Sequence, residues 1–168
     1  MVNLFERIVL NAPFWIKGVT SLISTKDLQE ISKLTADAEK HSNAEIAVLI
    51  EGGLNILQLL EGMSPSERAM ELFVKEKIWD TSSNSGILLY ILLSEHAIEI
   101  VADRAITEIV NHGEIRNICL ASAGEIEELG LKQGIENALR KLSEIQSRLK
   151  LNPNQYKDEL SDDVRLLK

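Results

Sequence analysis

The chain has 168 residues, which is enough for one domain with its own hydrophobic core and too few for two of ordinary size. Apolar residues make up 45% and charged residues 26%, a balance that is typical of a soluble globular protein and excludes a disordered chain. The formal charge of −8 would repel a phosphate backbone, so the composition argues against nucleic acid as a partner.

The first 23 residues form an apolar segment that is too interrupted to cross a membrane. Glu6, Arg7, Pro13 and Lys17 divide it, whereas a transmembrane helix needs roughly 20 consecutive apolar residues. The pattern of a signal peptide is also missing, and the single cysteine of the chain fits a reducing compartment. We therefore expect a cytoplasmic protein with no transmembrane segment.

This N-terminal segment, which we expect to be helical, contains Phe5, Phe14 and Trp15. Left exposed, these side chains would form an apolar patch of a size that monomers rarely have. They are predicted to dock on the domain that follows or on a second copy of the chain, which would make a homodimer. The alternatives are a membrane surface and an unknown protein partner. A membrane-surface helix usually has a cationic face, which is missing here, so we favour docking.

An α/β domain is predicted over residues 24–151. Ser24 has the position of an N-cap, and apolar residues at helical spacing predict a helix from about Thr25 to His41. The stretch Ala44–Glu51 is short, rich in β-branched residues and apolar on both faces, which predicts a buried strand.

The strongest helix start in the chain follows a loop or short helix around Ile56–Gly62. Ser64 has the position of an N-cap, a proline occupies the first helical position, and Glu67 completes a capping box. This helix is predicted to extend to about Trp79. Arg68 is interpreted as a solvated arginine on its surface.

Two further strands are predicted to form a hairpin. Ile87–Leu93 is apolar on both faces, which indicates a central strand. Only three residues separate it from Ala97–Ala102, too few for a crossover, so these strands should be antiparallel. Ala44–Glu51 reaches Ile87–Leu93 through a helix, so those two strands should be parallel. Amphipathic helices around residues 115–126 and 131–149 close the domain, and an irregular polar tail is predicted for 152–168.

Most sequence motifs of enzyme sites are missing. The chain has no glycine-rich phosphate loop and no dinucleotide fingerprint, so we expect no nucleotide cofactor, and it has no zinc-protease or serine-hydrolase motif. His41, His96 and His112 share no metal-ligand spacing and are interpreted as solvated residues. Cys119 lies on the apolar stripe of a helix and is interpreted as a buried, inert thiol.

A cation site is the candidate that remains. Asp80 and Asn84 precede the strand Ile87–Leu93, and Asp103 follows the strand that pairs antiparallel with it, so we expect these residues at one edge of the sheet. Carboxylate and amide oxygens are the ligands that hard cations such as calcium prefer. The alternative is that Asp80 and Asp103 only cap the turn and the helix that follow them.

Five stretches of the chain together resemble the TPM domain family, most closely its small bacterial members without a membrane anchor. In chain order they are AEIAV (44–48), ERAMELF (67–73), WDTSSNSGILLYILL (79–93), IEIVADRAI (98–106) and DELSD (158–162). The resemblance covers the chain from about residue 25 to its end. It implies a three-layer α/β/α sandwich with a small mixed sheet, loosely Rossmann-like.

The resemblance also implies weak phosphatase activity and binding of calcium or another divalent cation at acidic residues on loops at the end of the sheet. The D-T-x-x-N-x-G loop of the family and its strand-end acid and base fall on Asp80, Thr81, Asn84, Gly86, Asp103 and Arg104. The implied metal ligands are Asp80, Asn84 and Asp103, with Thr81 and Arg104 as further site residues. Ala105 stands where the family has a glycine, which restricts the backbone beside Asp103 and argues against catalysis there.

Two functions fit these residues. One is a non-enzymatic interaction or assembly module with a weak divalent-cation site. The other is a metal-dependent phosphatase-like hydrolase of phosphomonoesters, in which a cation at Asp80 and Asp103 polarises a phosphoryl oxygen and Arg104 offsets the developing charge. No histidine lies close in sequence to Thr81 or Ser82 to activate a hydroxyl, so we favour the interaction module.

Overall fold

The computed structural model describes residues 3–39, 44–149 and 159–167. The helices are α1 (Leu4–Lys17), α2 (Thr25–Glu39), α3 (Ile56–Leu60), α4 (Pro65–Lys75), α5 (Arg104–Thr107), α6 (His112–Leu129) and α7 (Leu131–Gln146), with short 3-10 turns at Val19–Ser21 and Leu93–Glu95. The strands are β1 (Ile46–Glu51), β2 (Ile87–Leu92), β3 (Ala97–Ala102) and β4 (Arg165–Leu167). None of the helices in the described part of the chain is long and apolar enough to cross a membrane.

The four strands form one mixed sheet in the order β3-β2-β1-β4. β1 and β2 are parallel, with Ile46 opposite Ile87, and β2 and β3 are antiparallel, with Ile87 opposite Ala102. The predicted hairpin and the predicted parallel crossover are both confirmed. Every residue of β1 and β2 is buried, because the two strands lie in the middle of the sheet and helices cover both of its faces.

The helices lie in two layers, one on each face of the sheet. Successive side chains of a strand point to opposite faces, so each central strand contributes to the core beneath both layers. One face packs on residues of α2, α6 and α7; its buried strand residues are Ile46, Val48, Ile50, Ile87, Leu89, Ile91, Ile98 and Ile100. The other face packs on residues of α3 and α4; its strand residues are Ala47, Leu49, Leu88, Tyr90 and Leu92. The predicted three-layer α/β/α sandwich is confirmed.

Helix α4 begins where the sequence predicts and ends earlier. The Ser64 hydroxyl accepts a hydrogen bond from the Glu67 N–H, and the Glu67 carboxylate accepts one from the Ser64 N–H. The predicted end near Trp79 is wrong, because the helix stops at Lys75 and Lys77 takes a left-handed conformation with φ 56°. The Ile78 and Lys77 N–H groups then bind the last free carbonyls of the helix. The left-handed residue that follows a helix is usually a glycine. This chain has a lysine there, so the sequence did not indicate where the helix ends.

The C-terminal tail is not irregular throughout, and that prediction is wrong for residues 165–167. They form β4, which lies parallel to β1 with Leu49 opposite Arg165. An ion pair of 2.8 Å between Arg165 and Glu76 holds its start. Three residues are too few to show a periodic pattern, so this strand depends on its partner for stability. Residues 152–158 and 168 of the predicted tail, and the predicted end of α2 at His41, lie outside the described residues.

Helix α1 lies across the edge where β1 and β2 end, which we call the carboxyl edge of the sheet. Asn11 is fully buried there, and its Oδ1 accepts hydrogen bonds of 2.7 Å from the Leu54 N–H and of 2.7 Å from the Ser94 hydroxyl. Trp15 Nε1 donates to the Leu54 carbonyl at 2.8 Å. The segment thus docks on its own domain as expected, but Phe5 takes no part, because 75% of it is exposed.

Candidate functional site

Two loops meet where β1 and β2 begin and β3 ends, at what we call the amino edge of the sheet. The first loop covers residues 80–86, and the second begins at Asp103. The Asp103 N–H donates to the Gly86 carbonyl at 2.9 Å, and the Ala105 N–H donates to the Asn84 carbonyl at 3.0 Å. The backbone itself therefore holds the two loops of the candidate cation site together.

The residues of the D-T-x-x-N-x-G pattern shape the first loop. The Thr81 hydroxyl is buried and accepts a hydrogen bond of 3.0 Å from the Ser85 N–H. Asn84 has a left-handed backbone with φ 49°, which asparagine tolerates better than most residues. A Cβ at Gly86 would lie 1.9 Å from the Ile78 carbonyl oxygen, so only glycine fits. Three positions of the pattern thus have a structural explanation.

The candidate ligands differ in what they already bind. Asp103 is the N-cap of α5, and its Oδ1 accepts a hydrogen bond of 2.6 Å from the Arg104 N–H. Arg104 Nη2 donates to the amide oxygen of Asn84 at 2.8 Å, so that oxygen is occupied by a cationic side chain. The Asp80 side chain is exposed, and within the described ranges no hydrogen bond or ion pair to its carboxylate is found. No contact within the loop therefore accounts for the aspartate at position 80 of the pattern.

A third segment, from the C-terminal part of the chain, reaches the same edge. The carboxylate of Glu159 accepts a hydrogen bond of 2.7 Å from the Ser82 N–H. Glu45, buried just before β1, accepts hydrogen bonds from the N–H groups of Glu159 and Leu160 at 3.3 and 3.0 Å. Sequence reasoning did not select Glu45 or Glu159. A glutamate at the start of an otherwise apolar strand was the signal that could have found Glu45.

Glu39 adds a buried carboxyl group beside this segment. Burial raises the pKa of Glu39 to about 9, with further contributions from its hydrogen bond with Asp162 and from the negative charge of Glu45. Glu39 therefore carries a proton at neutral pH, which lowers the negative charge of the cluster. Among residues 3–39, 44–149 and 159–167, no three His, Cys, Asp or Glu side chains are arranged to hold a metal ion.

Glu39→Gln is expected to make the protein increasingly more stable than the wild type as the pH rises. The pKa of Glu39 is about 9 in the folded state and 4.5 ordinarily. Between those pH values the folded chain holds a proton that the unfolded chain has lost, so the wild-type protein loses stability as the pH rises. Glutamine stays neutral and can make the same hydrogen bonds. The measurement is the free energy of urea unfolding of both proteins from about pH 5 to about pH 8.5.

Glu108→Gln is the matched control for this experiment, because Glu108 is exposed. Its unfolding free energy should follow that of the wild type across the same pH range. A constant difference between Glu39→Gln and the wild type at every pH would show that Glu39 is not protonated in the folded protein.

A second polar cluster lies between β1, β2 and α4 and corrects one interpretation made from the sequence. Arg68 is buried rather than solvated, because its guanidinium binds both carboxylate oxygens of Glu51 at 2.8 and 2.9 Å. The Tyr90 hydroxyl donates to the same carboxylate at 2.6 Å. Burial by itself lowers the pKa of Arg68, but the hydrogen bonds and charge of Glu51 outweigh it, so the pKa is raised. The arginine thus stays charged inside the protein.

The cysteine and the histidines do not extend the site. Cys119 is half-buried rather than fully buried, and burial raises the pKa of its thiol to about 11, which agrees with an inert thiol. His96 is exposed at the carboxyl edge, where its Nδ1 lies 3.2 Å from Glu127. His112 is exposed at the first residue of α6, and His41 lies outside the described residues.

Comparisons with known proteins identify the family of this chain. A family model described as the TPM domain matches residues 18–145, which is more than half of the chain. The chain belongs to the TPM domain family. The match includes both loops at the amino edge, whereas α1 lies before its first residue.

A solved protein structure has the same fold as this chain. It is the NMR structure of the BA42 protein from the psychrophilic bacterium Bizionia argentinensis, with a TM-score of 0.74 and 21% sequence identity. The likeness covers 89% of this chain and 99% of that one. No curated protein in the comparison matches the chain.

Proposed function

We propose that this TPM domain is a non-catalytic interaction module that binds a divalent cation, calcium foremost, weakly at the amino edge of the sheet. Asp80, Asn84 and Asp103 supply the oxygen ligands. The observation that supports this most directly is the pair of backbone hydrogen bonds that hold residues 84 and 86 against 103 and 105. These bonds hold the loop that contains Asp80 and Asn84 beside the loop that begins at Asp103 before any cation arrives.

The chemistry of the side chains favours binding over catalysis. The Thr81 hydroxyl is buried and engaged with the Ser85 N–H, so it is poorly placed as a nucleophile. Arg104 occupies the Asn84 amide oxygen, so a cation must displace the guanidinium before it can use this ligand. Two carboxylates and one amide leave most of the coordination shell to water, and the dissociation constant for calcium should be about 10⁻⁴ to 10⁻³ M.

Calcium titration of the purified protein, followed by NMR, tests the proposal. We expect the amide signals of residues 80–86 and 103–105 to shift with a saturable curve, and Asp103→Asn to weaken binding because it removes a charged ligand. Arg104→Gln should tighten binding, because it frees the Asn84 oxygen and removes a positive charge. Magnesium and manganese in place of calcium establish the preference among cations.

Glu108→Gln is the matched control, since it removes one exposed carboxylate outside the two loops, and it should bind calcium like the wild type. Equal affinity of Asp103→Asn and the wild type would overturn the proposed ligands. Cation-dependent hydrolysis of p-nitrophenyl phosphate that Arg104→Gln abolishes would favour the phosphatase-like alternative instead.

A further inference from the structure

Helix α1 packs on the protein through Ile8 and through two polar residues, whereas most of its apolar residues are exposed. Arg7 and Asn11, one turn apart, face inward: Arg7 donates to the Glu95 carboxylate at 2.8 Å and to the Met63 carbonyl at 2.7 Å. Asn11 Nδ2 donates to the Arg7 carbonyl at 2.8 Å. These bonds, with those from Leu54 and Ser94, fix the rotation of the helix about its axis, because the fully buried Asn11 cannot give them up.

The outward side of α1 is a continuous apolar stripe. Phe5, Val9 and Ile16 recur at helical spacing on it, and 89% of Ile16 is exposed. Helix α3 packs beside α1 and adds further exposed apolar residues. We call all of these the α1/α3 surface; its members are Leu4, Phe5, Val9, Leu10, Trp15, Ile16, Ile56, Leu57 and Leu60.

We infer that the α1/α3 surface is a dimer interface, on which the α1 helices of two copies of this chain pack antiparallel. Complementary charge supports a second copy as the occupant. Glu6 and Lys17 are exposed and eleven residues apart, close to three helical turns, so they lie on the same side of α1 at its two ends. In an antiparallel pair each Glu6 faces the partner's Lys17, and each Phe5 lies within one helical turn of the partner's Ile16.

The area of the surface agrees with this occupant. The nine residues are each more than two-fifths exposed, so together they present at least several hundred Å² of apolar surface. A standard interface buries about 800 Å² on each partner, and a little over half of that area is apolar. A lipid surface fits less well, because the chain carries a net charge of −8 and the Arg7 charge is neutralised by Glu95.

Charge reversal tests the antiparallel arrangement with the full chain. Glu6→Lys places like charges in both contacts of its own dimer, and so does Lys17→Glu. Each should weaken association about tenfold or more, measured by sedimentation equilibrium. An equal mixture of the two variants restores both attractive contacts and should therefore form the dimer again. Thermal unfolding checks that both variants remain folded, since Glu6 also caps the helix.

Two further variants complete the experiment. Ile16→Ser removes an exposed side chain without touching a helix cap and should also weaken association about tenfold or more. Lys33→Glu makes the same change of charge on the exposed surface of α2 and should leave association unchanged.

The inference is overturned if the wild type is monomeric at about 1 mM, where even a weak dimer forms, or if the mixed variants stay monomeric. Binding of the monomeric wild type to phosphatidylcholine vesicles would identify a lipid surface as the occupant instead. The result is independent of the cation site, because α1 and the two loops lie at opposite edges of the sheet.

Discussion

Arg68→Met should lower the free energy of unfolding by about 3 to 5 kcal/mol, the usual cost of removing one member of a buried ion pair. Methionine fills much of the same space but leaves the Glu51 carboxylate buried, with the Tyr90 hydroxyl as its remaining donor in this cluster. An uncompensated charge inside the protein is far more costly than a missing hydrogen bond. Urea unfolding at neutral pH measures the change.

A second variant separates the buried charge from a packing defect. Glu51→Gln combined with Arg68→Met removes both charges, so it should be more stable than Arg68→Met by itself. Glu71→Gln is a matched control, because Glu71 also binds the Arg68 guanidinium but is exposed, and it should cost less than about 1 kcal/mol. A wild-type unfolding midpoint for Arg68→Met would contradict the buried ion pair.

Leu89→Ala should cost about 2 to 5 kcal/mol, because it empties a fully buried site in the central strand β2. Leu89 lies between β1 and β3 in the sheet, opposite Val48 and Ile100, and its side chain belongs to the core formed with α2, α6 and α7. Neighbours held by strand pairing on both sides cannot collapse far into the cavity. The measurement is again the free energy of unfolding in urea.

Leu120→Ala is the control for Leu89→Ala, because it makes the same chemical change on the exposed surface of α6. It should alter the free energy of unfolding by no more than about 0.5 kcal/mol. If the two variants were equally stable, β2 would not be the buried central strand of the sheet.

The candidate site was half predictable. That the loop of Asp80 before β2 and Asp103 after β3 lie at one edge of the sheet follows from the order of the strands and from the short hairpin link, and both are local features. The third segment of the amino edge was not visible in the same way. Glu159 lies 77 residues from Ser82, and no spacing rule connects a polar tail to a loop so far away in the chain.

Features that depend on neighbouring residues were established by the sequence alone. The capping box at Ser64, the apolar run of β2 and the turn before β3 each stabilise their structure within a few residues. Such patterns specify where elements begin, how the central strands pair and that helices must cover both faces of the sheet. They therefore determined the three-layer α/β/α fold of this protein.

Features that depend on distant partners needed the folded chain. Arg68 lies in a helix that reads as amphipathic, and its burial follows from Glu51, 17 residues earlier. Asn11 is buried because its hydrogen-bond partners Leu54 and Ser94, 43 and 83 residues away in the sequence, lie beneath α1. β4 exists because β1 offers an open edge. A polar group can be buried only where a partner satisfies it, and the sequence of one segment does not contain that partner.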